Sequence, residues 1–123
     1  GYRPMAEQKR RFEEVFARTN DIEKAHEQIA VPEVAGHPTG GAVDVMIAGL
    51  DFGTGYCEFM AGTKLYYASD EISKAAKLNR LLLRQTMLKK GFVQYMAEWW
   101  HFSYGDKEWA FMTGKDEALY NQK

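Results

Sequence analysis

Gly36-His37-Pro38-Thr39-Gly40-Gly41-Ala42-Val43-Asp44-Val45-Met46-Ile47-Ala48 is the stretch that decides how this chain is read. Its first half gathers glycine, proline and threonine, the residues that punctuate a loop. Its second half is β-branched and apolar and predicts a strand over 42–48, with Val43, Val45 and Ile47 on one face. Ala42, Asp44 and Met46 share the other face. An acid in the middle of such a strand is costly to bury unless something compensates it. The loop can fold His37 back beside Asp44, so this stretch places two polar groups at the edge of a small sheet.

Toward the N-terminus, residues 5–30 read as helix, with Phe12, Val15 and Phe16 at offsets of three and four among Glu, Lys and Arg. Thr19-Asn20-Asp21 interrupts it and caps a second segment from Ile22. Toward the C-terminus, residues 49–67 carry four glycines and read as a long surface loop. Residues 70–90 form the clearest helix, with Ile72, Ala75, Ala76, Leu82, Leu83 and Met87 as its buried stripe and Gly91 as its cap. Phe92-Val93, then 99–104 and 108–112 across a Gly105-Asp106 turn, read as a terminal β-hairpin.

Composition narrows the function classes. The 123 residues are 46% hydrophobic and 14% aromatic, enough for a real core in one domain-sized unit. Sixteen Lys+Arg against 17 Asp+Glu leave no basic excess, so the aromatic cluster 99–111 reads as core and nucleic-acid binding is not expected. The single cysteine, Cys57, excludes an internal disulfide. As a nucleophile it would need a neighbouring base or cation, and the sequence places none beside it. No apolar run approaches the roughly 18 residues of a membrane span.

Three polar residues stand in apolar or tight surroundings: His37 in the glycine loop, Asp44 in the strand, and His101 in the segment Ala97-Glu98-Trp99-Trp100-His101-Phe102. Taken singly, each has an ordinary structural explanation. Together, two imidazoles and a carboxylate are a donor set used by catalytic zinc sites that keep one position open. Glu98, three residues before His101, is then near enough to act as the proton acceptor. In a regular strand residues 98 and 101 point to opposite faces, so this reading requires a bend at 97–99.

The segments 36–44 and Glu98-Trp99-Trp100-His101-Phe102 resemble the two zinc motifs of the D-alanyl-D-alanine dipeptidases, within the zinc D,D- and L,D-peptidases. Gly1-Tyr2-Arg3-Pro4 is similar to the family's arginine motif and Phe52-Gly53-Thr54 to its loop after the first zinc strand. Asn79-Arg80-Leu81-Leu82-Leu83 with Gly91-Phe92 is similar to its helix before the last motif. The double-Trp form of the second motif points to the dipeptidase branch. The resemblance implies zinc on His37, Asp44 and His101, Glu98 as general base and acid, and Arg3 steadying the oxyanion. The segment bearing Arg3 is expected to be pinned, with Tyr2 largely buried.

Two departures from the family pattern touch substrate recognition. Ala35 stands where relatives carry a serine. Tyr56-Cys57-Glu58 replaces an aromatic-Asp pair, which shifts the acid expected to receive the substrate's ammonium to Glu58, with Tyr56 beside it. The fold implied is α+β: a small antiparallel sheet carrying the zinc site, with helices packed on the other face. Periodicity alone gives two helical regions and three or four strands. Residues 1–123 are expected to form a single zinc peptidase domain lacking an N-terminal segment. The implied activity is hydrolysis of D-alanyl-D-alanine, or a similar short D-amino-acid dipeptide, in cell-wall metabolism. The alternatives are a D,D-carboxypeptidase or murein endopeptidase on longer peptides, and a non-catalytic zinc-stabilised peptidoglycan-binding module. A cytoplasmic location is expected, with the periplasm or cell envelope as alternative.

Overall fold

The computed structural model describes the chain apart from Glu27, Cys57 and the side chains of Met60 and Thr63. The thiol that the sequence singled out therefore lies outside the described residues. Among the described residues the α-helices and strands follow in the order α1 (Met5–Thr19), α2 (Ile22–His26), β1 (Ala42–Asp44), α3 (Lys74–Leu88), β2 (Val93–Gln94), β3 (His101–Ser103) and α4 (Lys107–Thr113), with 3-10 turns at His37–Thr39 and Phe59–Leu65. The sheet has the order β1-β3-β2. β2 and β3 are antiparallel, with Val93 opposite Ser103 and Gln94 opposite Phe102. The architecture is the α+β class expected. By internal packing the chain forms two compact units, residues 1–43 with 105–123, and residues 44–104.

In the first unit, α1 ends where Asn20 adopts a left-handed conformation (φ +48) and returns its N–H to the Phe16 carbonyl at 2.7 Å. Asn tolerates this region better than most residues. Asp21 Oδ1 then accepts from the Glu23 and Lys24 amides and opens α2, so the interruption expected at 19–21 is present. The deeply buried side chain of α1 is Gln8, not an apolar residue. Its amide nitrogen donates to the Ala30 carbonyl and its oxygen accepts from Arg3, both at 2.7 Å, which satisfies the group's two polar ends. The chain's last residues are tied in by main-chain bonds from Met5 N–H to Lys123 C=O and from Lys123 N–H to Pro38 C=O.

Residues 107–113 are helix, not the second arm of a hairpin. Asp106 decides this, because its carboxylate caps the helix by accepting from the Trp109 amide at 2.9 Å. Gly114 (φ +66) closes the other end. An N-cap acid and a C-terminal glycine outweigh the aromatic content of Trp109 and Phe111.

The strand begun at Ala42 stops at Asp44 instead of Ala48. Val45 still donates to the Trp100 carbonyl at 2.9 Å. Beyond that, turns at 96–97 and 99–100 remove the partner a longer ladder needs. α3 is shorter than expected, starting after Ser73, whose hydroxyl accepts from the Ala76 amide at 3.0 Å. The side chains facing inward are Ile72, Ala76, Arg80 and Leu83, while Ala75 and Leu82 are exposed. α3 packs against β2. The core gathers Phe52, Trp99, Trp100 and Phe102, with the Phe52 and Trp99 rings stacked at 4.4 Å. At ~200 Å² per indole and ~25 cal/mol/Å², each buried tryptophan contributes about 5 kcal/mol of gross apolar burial.

Candidate metal centre

Asp44 ends β1 and His101 opens β3. Their side chains are only 9% and 13% exposed, and His101 Nδ1 lies 3.0 Å from Asp44 Oδ1. His37 begins a single turn of 3-10 helix over His37–Thr39, with Pro38 fixing the backbone just inside its start. Gly40 (φ +79) ends the turn in a conformation that favours glycine. The buried His37 ring places Nδ1 3.0 Å from the Gly1 carbonyl oxygen. A carbonyl only accepts, so Nδ1 carries the proton and Nε2 keeps the lone pair that a cation needs.

His37, Asp44 and His101 each offer one ligand atom, and these atoms lie within 4.8 Å of one another. Bonds of about 2.0–2.2 Å to a tetrahedral ion separate neighbouring donors by roughly 3.3 Å. The Asp44–His101 spacing is already close to that value. Two imidazoles and a carboxylate form a borderline-soft set suited to zinc, and also to other divalent transition ions. The residues present therefore fit a divalent metal.

Glu98 lies between the two turns, with its amide directed at the Tyr95 carbonyl (3.4 Å) and its carbonyl accepting from the His101 amide (3.2 Å). Residues 98 and 101 are thus not part of one regular strand, and the bend that the sequence reading required is present. Arg3 is half-buried. Its amide donates to the His37 carbonyl at 3.2 Å and its guanidinium to Gln8 Oε1 at 2.7 Å. The main-chain bond ties the segment carrying Arg3 to the His37 turn, and the side-chain bond ties Arg3 to α1. Tyr2, expected to anchor it by burial, is instead 58% exposed, because the backbone and Gln8 hold the segment.

A profile of the D-Ala-D-Ala dipeptidase family matches residues 2–122. The chain belongs to this family. It is also 38% identical over 71 residues to the D-alanyl-D-alanine dipeptidase of Escherichia coli strain K12, a stretch covering 54% of this chain and 36% of that protein. The match thus covers about a third of that relative's length.

The structure of this family member gives the two candidate substrate-binding residues less definition. Tyr56 and Glu58 are both exposed, and Glu58 Oε2 accepts from the Gly55 amide at 2.6 Å. Asp106 and Arg80 are buried polar residues to which the sequence assigns no role in the site. Asp106 packs against Gly36, immediately before His37, where an added Cβ would stand 2.3 Å from Asp106 Oδ2. Arg80 is 2% exposed on the inward face of α3. Burial pushes its guanidinium down to about 10 despite the opposing charge of Asp51. The available signal for Arg80 was its fit to the spacing of Ile72, Ala76 and Leu83, at a position the apolar stripe skips.

Proposed function

We propose that this chain is a zinc-dependent dipeptidase that hydrolyses D-alanyl-D-alanine, or a similarly short D-amino-acid dipeptide, in cell-wall metabolism. The observation that carries this reading is the His37–Asp44–His101 donor set in a chain of this family. His37 through Nε2, Asp44 through a carboxylate oxygen and His101 through a ring nitrogen would hold the ion. The chemistry supplied by a bound zinc is Lewis acidity, which polarises a carbonyl and makes water a stronger acid.

The remaining work falls to side chains of this chain. The Glu98 carboxylate takes a proton from the attacking water as its oxygen bonds to the scissile carbonyl carbon. It returns that proton to the leaving nitrogen as the amide C–N bond breaks. The Arg3 guanidinium, which donates to Gln8 Oε1, would meet the negative charge that develops on the carbonyl oxygen. A fixed cation of this kind is worth more in the transition state than in the ground state. A structural metal site would need neither Glu98 nor Arg3. Tyr56 and Glu58 take the substrate's ammonium end in this reading.

The test is release of free D-alanine from D-alanyl-D-alanine by the zinc-loaded chain, compared with peptides extended at their N-terminus. Cleavage of the dipeptide above all longer peptides is expected. Preference for the longer peptides would replace the reading with a carboxypeptidase or endopeptidase. Zinc uptake with no hydrolysis of any of them would replace it with a binding module.

A further inference from the structure

Among the described residues Arg80 is buried with no carboxylate hydrogen-bonded to it, and the partners its fork holds are main-chain carbonyls. Nε donates to the Phe52 carbonyl, and Nη1 donates to the carbonyls of Lys64 and Tyr66, all at 2.8 Å. Those acceptors sit at the two ends of the segment 52–66, which carries Tyr56 and Glu58. The guanidinium carbon lies 5.4 Å from the centroid of the Trp99 ring, whose neighbour in the stack is Phe52. Burying an arginine whose hydrogen bonds go to carbonyls, with Asp51 acting on it only as a charge and not as a hydrogen-bond acceptor, is expensive, and an apolar side chain of similar volume would pack there at lower cost.

Trp99 is held at every polar atom. Its amide donates to the Leu65 carbonyl at 3.0 Å, its carbonyl accepts from Gln94 Nε2 at 2.9 Å, and its indole N–H donates to Thr54 Oγ1 at 2.9 Å. Leu65 and Thr54 belong to the same segment that Arg80 gathers. Glu98 is the residue immediately before Trp99, and His101 follows two residues later. One guanidinium thus joins α3, both ends of the 52–66 segment, and the aromatic residue next to Glu98.

We infer that Arg80 is a positioning residue: through Trp99 and the 52–66 carbonyls it sets the placement of Glu98 relative to the loop that receives the dipeptide. The inference rests on the dipeptidase reading above and adds a group that touches neither substrate nor metal. Lysine keeps the charge but lacks the planar fork that reaches several carbonyls at once.

The test uses Arg80→Lys and Arg80→Ala in the full chain, with zinc uptake measured by chelator competition and the fold by the near-UV tryptophan band. Zinc affinity should stay near that of the parent, since Arg80 makes no bond to His37, Asp44 or His101. The rate constant kcat/KM on D-alanyl-D-alanine should fall ~100-fold in Arg80→Lys, the scale of a misplacement of about 1 Å, with kcat lowered and KM raised together. Added guanidinium ion should restore at least ~10-fold of the rate in Arg80→Ala, together with the tryptophan band. If the Arg80 variants do not fold, Trp99→Phe keeps the ring stack and loses the Thr54 bond, and should lose ~10-fold in kcat/KM.

Arg80→Lys or Trp99→Phe kinetics equal to the parent's overturn the inference. So does a loss that follows only the unfolded fraction and is not restored by guanidinium. A parent inert toward the dipeptide overturns the dipeptidase reading and this inference with it, whereas an active parent with an equally active Arg80→Lys overturns the inference alone.

Discussion

Gly49 and Gly53 both have a positive φ, +80° and +79°, and differ in what surrounds them. A Cβ on Gly53 would stand 2.7 Å from both Cβ and Cγ2 of Ile72 and 3.2 Å from Cβ of Ala76, while one on Gly49 would meet nothing within 4 Å. Gly49→Ala therefore bears the left-handed backbone penalty alone, about 1–2 kcal/mol. Against this, ~0.5–1 kcal/mol is recovered because alanine restricts the unfolded chain. Gly53→Ala bears the same difference plus overpacking, which costs ~1–3 kcal/mol in a packed site. Ile72 Cβ is bonded directly to the main chain and cannot rotate away. The expected cost is roughly 1–4.5 kcal/mol at Gly53 and no more than about 1.5 kcal/mol at Gly49. Urea unfolding with a slope of roughly 2 kcal/mol/M should then separate the two midpoints by about 0.5–1.5 M. Equal midpoints for the two variants would refute the contact argument, and midpoints equal to the parent's for both would refute the backbone argument too.

Glu98→Gln should keep zinc affinity and lose ~100- to 10,000-fold in kcat, read by steady-state rates beside chelator competition. Asp44→Ala or His101→Ala should instead weaken zinc binding by more than the roughly 10- to 100-fold typical of changes outside the ligand set. Asp106→Ala should cost about 1 kcal/mol through loss of the α4 cap, and Asp106→Ser should restore most of it, both measured by urea midpoints. Hydrogen bonds from Arg10 and Arg11 hold the Glu7 carboxyl at about 2, against an ordinary value of 4.5. Its folded pKa is depressed, so its stabilisation is present above about 4.5 and is lost as pH falls through about 2. The midpoint difference between parent and Glu7→Gln should shrink over that window, and also in ~1 M salt, because the ion pairs are exposed.

The metal donors were legible because each is a polar residue that the local pattern does not explain, and the resemblance joined them. The helix interruption at 19–21 was legible because Asn20 and Asp21 act through their own local geometry. Strand length was not. Val45–Ala48 has strand composition, but a ladder needs a partner, and the turns that remove it lie some fifty residues later in sequence. Helix α4 replaces the expected hairpin arm because the caps of Asp106 and Gly114 outweigh the strand preference of Trp109 and Phe111. Gln8 and Arg80 escaped because a hydrophobic pattern cannot register a polar side chain that is buried to satisfy distant carbonyls.

The acceptor for the His37 Nδ1 proton is a main-chain carbonyl, that of Gly1. Support of this kind survives any exchange of side chain at the residue that provides it. An alanine scan is therefore blind to it, and residue identity at that position carries no trace of the role. What orients the imidazole is the path of the backbone, which Arg3 N–H reinforces from two residues further on. Replacing Arg3 by proline would break that path and remove the guanidinium at once, whereas Arg3→Ala would remove only the guanidinium. The contrast in zinc affinity between those two variants measures how far a ligand's aim depends on the path of the chain alone.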